Sequence, residues 1–194
     1  MPFVLRSLTR PASPSTSSAL RIARLISVLV VLGSATASGQ NTPITYQPTE
    51  CTASTVTTTS GDVCGLTLAG GRSDIEVFLG VPFGESTGGD NRFEPPRAKV
   101  AWDGVLAATA YGPACAQRVD VEGRPESEDC LTLNVWRPVG AIGPRPVLVF
   151  FHGGAFVFGS PSDPVYPGAE HPMHDGAYLA ATHDMVVVMP QYRL

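Results

Sequence analysis

The sequence predicts an α/β fold in which N-terminal antiparallel strands lead into a mixed, mostly parallel central sheet, and three observations carry that prediction. Leu131-Thr-Leu-Asn-Val-Trp136 alternates apolar with polar residues up to Trp136, the pattern of an antiparallel strand with one wet face. Val147-Leu-Val-Phe-Phe151 and Met185-Val-Val-Val-Met189 are instead unbroken apolar runs bounded by Pro, Gly, His or charged residues, as in strands covered on both faces. Between those runs lie a loop rich in Pro, Gly and His, Gly159 to Gly176, and then Ala177-Tyr-Leu-Ala-Ala-Thr182, long enough for one short helix.

Taken in chain order, the first element is an export signal. Leu25 to Leu32 is an apolar run preceded by Arg21 and Arg24 and followed by Ala35-Thr36-Ala37, the small-x-small pattern that a signal peptidase accepts, so residues 1–37 read as a signal peptide cleaved after Ala37. The run has about eight strongly apolar residues where a permanent span needs roughly 20, so no membrane span is expected after cleavage, and the mature chain is expected outside the cytoplasm or secreted. Four of the thirteen basic residues (Arg6, Arg10, Arg21, Arg24) leave with the signal while all seventeen acids remain, which gives the mature chain a net charge of −8. Such a chain is a poor ligand for phosphate backbones, and no nucleic-acid partner is expected. With 43% hydrophobic and 15% charged residues it is not a disordered segment either.

Residues 38–63 are rich in Thr and Ser with almost no apolar periodicity and read as a spacer, ordered if at all by a disulfide. From Cys64 onward the pattern changes. Leu66 and Leu68 alternate with Gly65 and Thr67, Gly70-Gly71 mark a turn, and Ile75-Glu-Val-Phe-Leu79 follows, which together read as a β-hairpin opening the main domain, residues 64–194. The four cysteines allow three connectivities, and the sequence-local pairs Cys51 with Cys64 and Cys115 with Cys130 close short loops of the kind that exported chains carry. Metal binding is not expected: there is no Cys-x-x-Cys, and the His171-Pro-Met-His174 pair has no thiol close by in sequence. The chain stops at Leu194 directly after a buried strand and before any helix that could cover it, so the expectation is the N-terminal portion of a longer domain.

Chemistry concentrates in Phe150-Phe-His-Gly-Gly-Ala-Phe156, where a strand end runs directly into consecutive glycines. Residues without bulky side chains let successive backbone N–H groups point into one pocket, as a developing oxyanion requires; a glycine-rich bend without chemistry is the competing reading. Other motifs decide between the two. Phe78-Leu-Gly-Val-Pro-Phe83, Arg92-Phe93 with Pro95 and Pro96, Trp102-Asp-Gly104, Tyr111-Gly-Pro-Ala-Cys115, Ser127-Glu-Asp-Cys-Leu-Thr-Leu-Asn-Val-Trp136, the His-Gly-Gly-Ala loop and Gln191-Tyr-Arg-Leu194 occur in that order. In these stretches the chain resembles the type-B carboxylesterase/cholinesterase family.

The resemblance implies an α/β-hydrolase fold, of which residues 65–194 cover roughly the first third, and hydrolysis of a small-molecule carboxylic ester by a Ser, Glu or Asp, and His triad without a cofactor. It also implies an oxyanion hole at Gly153, Gly154 and Ala155, with Gly154 and Ala155 donating their N–H groups. A Cys115–Cys130 disulfide and an ion pair between Arg92 and Glu128 come with it. All three triad members are implied to lie beyond Leu194, so this chain holds no catalytic residue of its own. A non-catalytic, cholinesterase-like adhesion protein of the neuroligin kind is the alternative, and only sequence beyond Leu194 separates the two.

Gly84-Glu-Ser-Thr-Gly88 fits the Gly-x-Ser-x-Gly elbow, but the elbow needs a helix after it, and the adjacent prolines of Asp90-Asn-Arg-Phe-Glu-Pro-Pro96 exclude a long one. Ser86 therefore reads as a polar turn residue. His152 reads as a loop-ordering residue, His171, His174 and His183 as loop and helix-end residues, and Trp102 and Trp136 as core or strand-face aromatics. Between Cys115 and Cys130 no aromatic residue occurs, so choline recognition by cation–π contact has no platform there and a general carboxylesterase is favoured over a cholinesterase.

Overall fold

The structure is a computed structural model that describes residues 50–69, 74–118, 124–140, 142–164 and 172–194. Contacts divide the chain into Met1–Gln40 and Asn41–Leu194, and every described residue belongs to the second unit. The signal segment, the Gly70-Gly71 turn and His171 lie outside the described residues. No helix among those described is long and apolar enough to cross a membrane.

Two short strands come first, β1 (Val56–Thr57) and β2 (Asp62–Cys64), paired antiparallel. Both begin inside the segment read as a spacer, which is to that extent corrected: order comes from partners distant in sequence, not from local periodicity. The Cys51–Cys64 disulfide ties the segment down, and the Trp102 indole donates to the Asp62 carbonyl at 3.0 Å. Gly61 (φ +148°) lies flat under that indole, where an added Cβ would come within 2.5 Å of the ring nitrogen. Residues β3 (Leu66–Leu68) and β4 (Ile75–Pro82) form the antiparallel hairpin pair, and β5 (Val105–Ala107) completes the first small sheet by running parallel to β2. A two-stranded parallel pair, β6 (Ala114–Cys115) with β7 (Glu126–Ser127), stands at the ends of the Cys115–Cys130 loop.

The main sheet is completed by β8 (Thr132–Pro138), β9 (Val147–Val149) and, after helix α1 (Ala177–His183), β10 (Val186–Pro190), in the order β3-β4-β8-β10-β9. It is mixed, as predicted; among the described strands of this sheet β9 and β10 run parallel and the other three pairings, which include the N-terminal strands, are antiparallel. The reason is connectivity. A parallel pair needs a crossover of a dozen or more residues, and within this sheet the β9-to-β10 connection through α1 is the crossover that joins parallel neighbours.

Both faces of the sheet centre are covered. Ile75, Val77, Leu79, Trp136, Val187 and Met189 pack with Ala180 of α1 on one face, and Phe78 packs with Val63 and Ala108 of the small-sheet side on the other. Burial pushes the Glu76 carboxyl up, but hydrogen bonds from the Ser54 N–H and the Arg137 guanidinium outweigh it and hold the group below the usual carboxylate range. A bulge between Phe78 and Val81 places Gly80 at φ +69°, and its N–H donates to the buried Asn134 side chain at 2.9 Å. The two apolar runs read as doubly covered differ. β10 is half-buried to buried, whereas β9 is the edge strand with Val147 60% and Val149 48% exposed, because β10 is its one strand neighbour and no described helix packs on it.

Trp136, fully buried, sets the distance between helix and sheet. An added Cβ at Gly176, the residue before α1, would lie 2.7 Å from the Trp136 ring and 2.9 Å from the Val187 Cβ. Gly176 has an ordinary helical φ of −80°, so space alone forbids a side chain there. Gly176→Val should therefore lower the unfolding free energy by about 1–3 kcal/mol through overpacking, read from urea midpoints; an unchanged midpoint would mean that α1 can back away from Trp136 without loss.

Candidate active site

Beyond β9 the chain stays registered for one more residue, the Phe150 N–H donating to the Val188 carbonyl at 2.9 Å, and then leaves the sheet. His152 is the pivot. Its ring stacks on Tyr192 at 4.2 Å with the planes 11° apart, its carbonyl accepts the Tyr192 hydroxyl at 2.5 Å, and its Nδ1 faces the Gly153 carbonyl oxygen at 2.8 Å. Thus a residue just beyond β10 holds the end of β9 from outside the ladder.

The turn that follows puts Gly154 (φ +117°), Ala155 (+54°), Phe156 (+60°) and Gly159 (+119°) in the left-handed half of conformational space. The Val157 and Phe158 N–H groups both donate to the Gly154 carbonyl, at 2.9 and 3.2 Å. The two predicted glycines are not equivalent. An added Cβ at Gly154 would lie 1.7 Å from the Phe158 carbonyl oxygen, whereas at Gly153 it would meet nothing within 4 Å. Gly159, which sequence reading passed over, is as constrained as Gly154: its added Cβ would lie 2.6 Å from both the Gly153 oxygen and His152 Nδ1. Among the described residues, the N–H groups of Gly153, Gly154 and Ala155 make no hydrogen bond. Successive amides in a turn of this kind form a concavity suited to an anion.

The loop closed by the Cys115–Cys130 disulfide packs against this turn. Gln117 pairs with Gly159 in both directions, its Oε1 accepting the Gly159 N–H at 2.8 Å and its Nε2 donating to the Gly159 carbonyl at 3.2 Å. Arg124, with a side chain only 4% exposed, pairs with Glu126 at 2.9 Å and with Asp163, whose other oxygen accepts the Ser160 N–H at 3.0 Å. Arg92 Nε lies 3.4 Å from Glu128 Oε1, with the side chains 61% and 36% exposed, in the regime where an ion pair contributes about 0–1 kcal/mol. A cavity of about 390 Å³ opens beside that pair, lined by Thr87, Phe93 and Arg193 among others.

Ser86 is placed away from any histidine contact: its hydroxyl accepts the Gly88 N–H at 3.2 Å, its carbonyl accepts the Asn91 amide, and only a three-residue 3₁₀ turn, Gly89–Asn91, follows. His174 lies against Phe150, with ring centroids 5.0 Å apart, and His183 ends α1. No side-chain hydroxyl donates to a histidine ring among the described residues, nor do three or more His, Cys, Asp or Glu gather as a metal site there.

Burial holds the His152 imidazole below the usual histidine range, against the hydrogen bond to Gly153 and the pull of Asp163, and Arg124 adds to the lowering. Burial lowers His174 too, with His152 contributing. Both groups bind their proton less tightly in the folded than in the unfolded chain, so their stability is present above the unfolded value of about 6.5 and is lost as pH falls through the folded one. Urea midpoints should therefore drop from pH 7.5 to pH 5, and the drop should be smaller in His152→Gln; equal drops in both proteins would remove His152 from the acid response.

Comparison with known proteins shows the family. A profile described as the carboxylesterase family matches residues 52–194. The chain is similar to an acetylcholinesterase of Bungarus fasciatus, with 38% identity in an alignment that covers 72% of this chain and 24% of that protein. It is 39% identical to a para-nitrobenzyl esterase of Bacillus subtilis (strain 168), over 72% of this chain and 27% of that protein. With a carboxylesterase 4A of Bos taurus it shares 38% identity over 69% of this chain and 25% of that protein. It thus spans about a quarter of the length of each of these relatives. The match reaches from the stapled N-terminal strands through the glycine turn to Leu194, and the chain belongs to the carboxylesterase family.

Proposed function

We propose that the full-length protein hydrolyses carboxylic esters by a serine-esterase mechanism and that this chain supplies its oxyanion hole. The observation that carries the reading is the turn after β9, where the N–H groups of Gly153, Gly154 and Ala155 make no hydrogen bond among the described residues while the backbone around them is held by Tyr192, His152 and Gln117. In this mechanism a serine Oγ, its proton taken by a histidine, bonds to the ester carbonyl carbon, and the carbonyl π electrons move onto oxygen. Gly154 and Ala155 donate to that oxygen, the alcohol leaves with the proton returned by the histidine, and water repeats the sequence on the acyl-enzyme. Serine, histidine and the acid that orients it belong to sequence beyond Leu194, and no cofactor enters. His152 orders the loop instead of moving a proton, in keeping with its buried ring and its contact with Gly153. Two disulfides and the segment 1–37 support export, and the absence of an aromatic residue between Cys115 and Cys130 supports a general ester over a choline ester.

Gly154 is the position at which the reading is most exposed. Loss of one oxyanion donor costs about 10² to 10³ in kcat, so Gly154→Val should lower kcat on p-nitrophenyl acetate by that order and change KM far less, whereas His152→Gln should do much less. A melting curve establishes folding first. A well-folded Gly154→Val enzyme with near-normal kcat would reduce the turn to a bend and move the oxyanion hole elsewhere.

Residues 38–194 alone should show no turnover above an oxyanion-only background. Hydrolysis of the same ester by that segment, abolished in Ser86→Ala, would make Ser86 a nucleophile and overturn the assignment of the triad to later sequence.

A further inference from the structure

We propose that Gln117, a residue of the disulfide-closed loop, is a positioning residue that fixes the aim of the Gly154 N–H. The proposal rests on the esterase reading above and adds to it a residue that touches neither substrate nor the reacting atoms. Three contacts define the role. The primary amide of Gln117 pairs with both polar groups of Gly159, at 2.8 and 3.2 Å, as a neighbouring strand would, and its Nε2 also donates to the Cys115 carbonyl at 3.0 Å. It is thereby tied to the Cys115–Cys130 disulfide, two residues away on the chain.

Gly159 in turn presses on Gly153. The closeness is measured by the Cβ that Gly159 lacks, which would lie 2.6 Å from the Gly153 carbonyl oxygen, the same oxygen that His152 Nδ1 faces at 2.8 Å from another side. The Gly153 carbonyl and the Gly154 N–H are two ends of one peptide plane, and a peptide plane turns as a unit. Fixing the oxygen against Gly159 and His152 therefore fixes the direction of the Gly154 N–H. The bonds within the turn, from Val157 and Phe158, hold the Gly154 carbonyl and not the Gly153 peptide plane: Gly153 has open space where a side chain would be, and Ala155 and Phe156 further on hold unfavourable positive φ values. A donor displaced by about 1 Å can cost on the order of 10²-fold in rate, so the reciprocal amide pair is placed where small slack becomes large loss.

Gln117→Ala and Gln117→Glu in the full-length protein separate positioning from mere support. The glutamate carboxylate still accepts the Gly159 N–H but cannot donate to its carbonyl; protonated, it restores both bonds. Per active site titrated with an organophosphate, Gln117→Ala should lose about 10- to 100-fold in kcat with KM within about threefold. Gln117→Glu should lie between, and its kcat relative to wild type should rise as pH is lowered from 8 toward 5. Amide hydrogen exchange across residues 153–160 should speed up in the alanine variant. An unchanged kcat per titrated site in Gln117→Ala, or a Gln117→Glu to wild-type ratio flat with pH, overturns the proposal. If the wild-type protein turns over no ester, the esterase reading falls, and unchanged exchange in Gln117→Ala then overturns the positioning role as well.

Discussion

Four of the six residues from Gly154 to Gly159 have positive φ, and two of them, Ala155 and Phe156, carry side chains that oppose it by about 1–2 kcal/mol each. Such a turn relaxes unless its surroundings over-determine it. The rest of the described structure meets that constraint from several directions. Tyr192 clamps the entry at His152, Gln117 clamps the exit at Gly159, and Asp163, paired with the buried Arg124, accepts the Ser160 N–H just beyond. Each clamp comes from a different part of the chain, so no local change in the turn can relax all of them together.

The magnitudes separate these contacts from those that only decorate the surface. The exposed Arg92–Glu128 pair falls in the range of about 0–1 kcal/mol, while Glu128 contributes more plainly through its backbone, whose carbonyl accepts both the N–H and the hydroxyl of the buried Thr87. Arg124 is different because its side chain is almost wholly buried; removing Asp163 would leave Glu126 as a remaining partner, so the loss should be less than the about 3–5 kcal/mol that stranding a buried charge costs. Beneath both lies the sheet centre, where Trp136 and Val187 join β8, β10 and α1 and thereby set where β10 ends and Tyr192 begins.

What was legible in the sequence follows the range of the forces involved. Alternation in β8 and the apolar run of β10 are local patterns and map onto strands, and the glycine run after β9 maps onto the turn with the open amides. The disulfide partners were legible because both pairs are close in sequence. β1 and β2 were not, since a Thr-rich stretch has no period and takes its order from Trp102 some 40 residues away. Strand direction had no local signal, because apolar runs report burial and not direction. Among the described residues the apolar side chains of β9 lie on the edge of the sheet. Gln117 had no signal at all: a glutamine near a cysteine is ordinary, and its meaning depends on a glycine 42 residues later.

Gly84–Gly88 and Gly153–Gly159 are both glycine-bracketed stretches with a catalytic look, and hydrogen-bonding capacity tells them apart. In the first, the Ser86 hydroxyl already accepts the Gly88 N–H, the Thr87 groups donate to Glu128, and the Glu85 carboxylate accepts from Val100. The Ser86 and Thr87 hydroxyls and the Glu85 carboxylate are thereby all engaged within the protein. In the second, the carbonyls of His152, Gly154 and Gly159 are engaged, while three consecutive N–H groups have no acceptor among the described residues. Gly153 and Ala155 are exposed and Gly154 is half-buried, so water can answer these amides in the free protein and a ligand oxygen can replace it. With the His152, Gly154 and Gly159 carbonyls engaged and the amides of residues 153–155 open, the turn offers donors instead of acceptors to its surroundings, and that asymmetry is what supports the oxyanion role proposed for it.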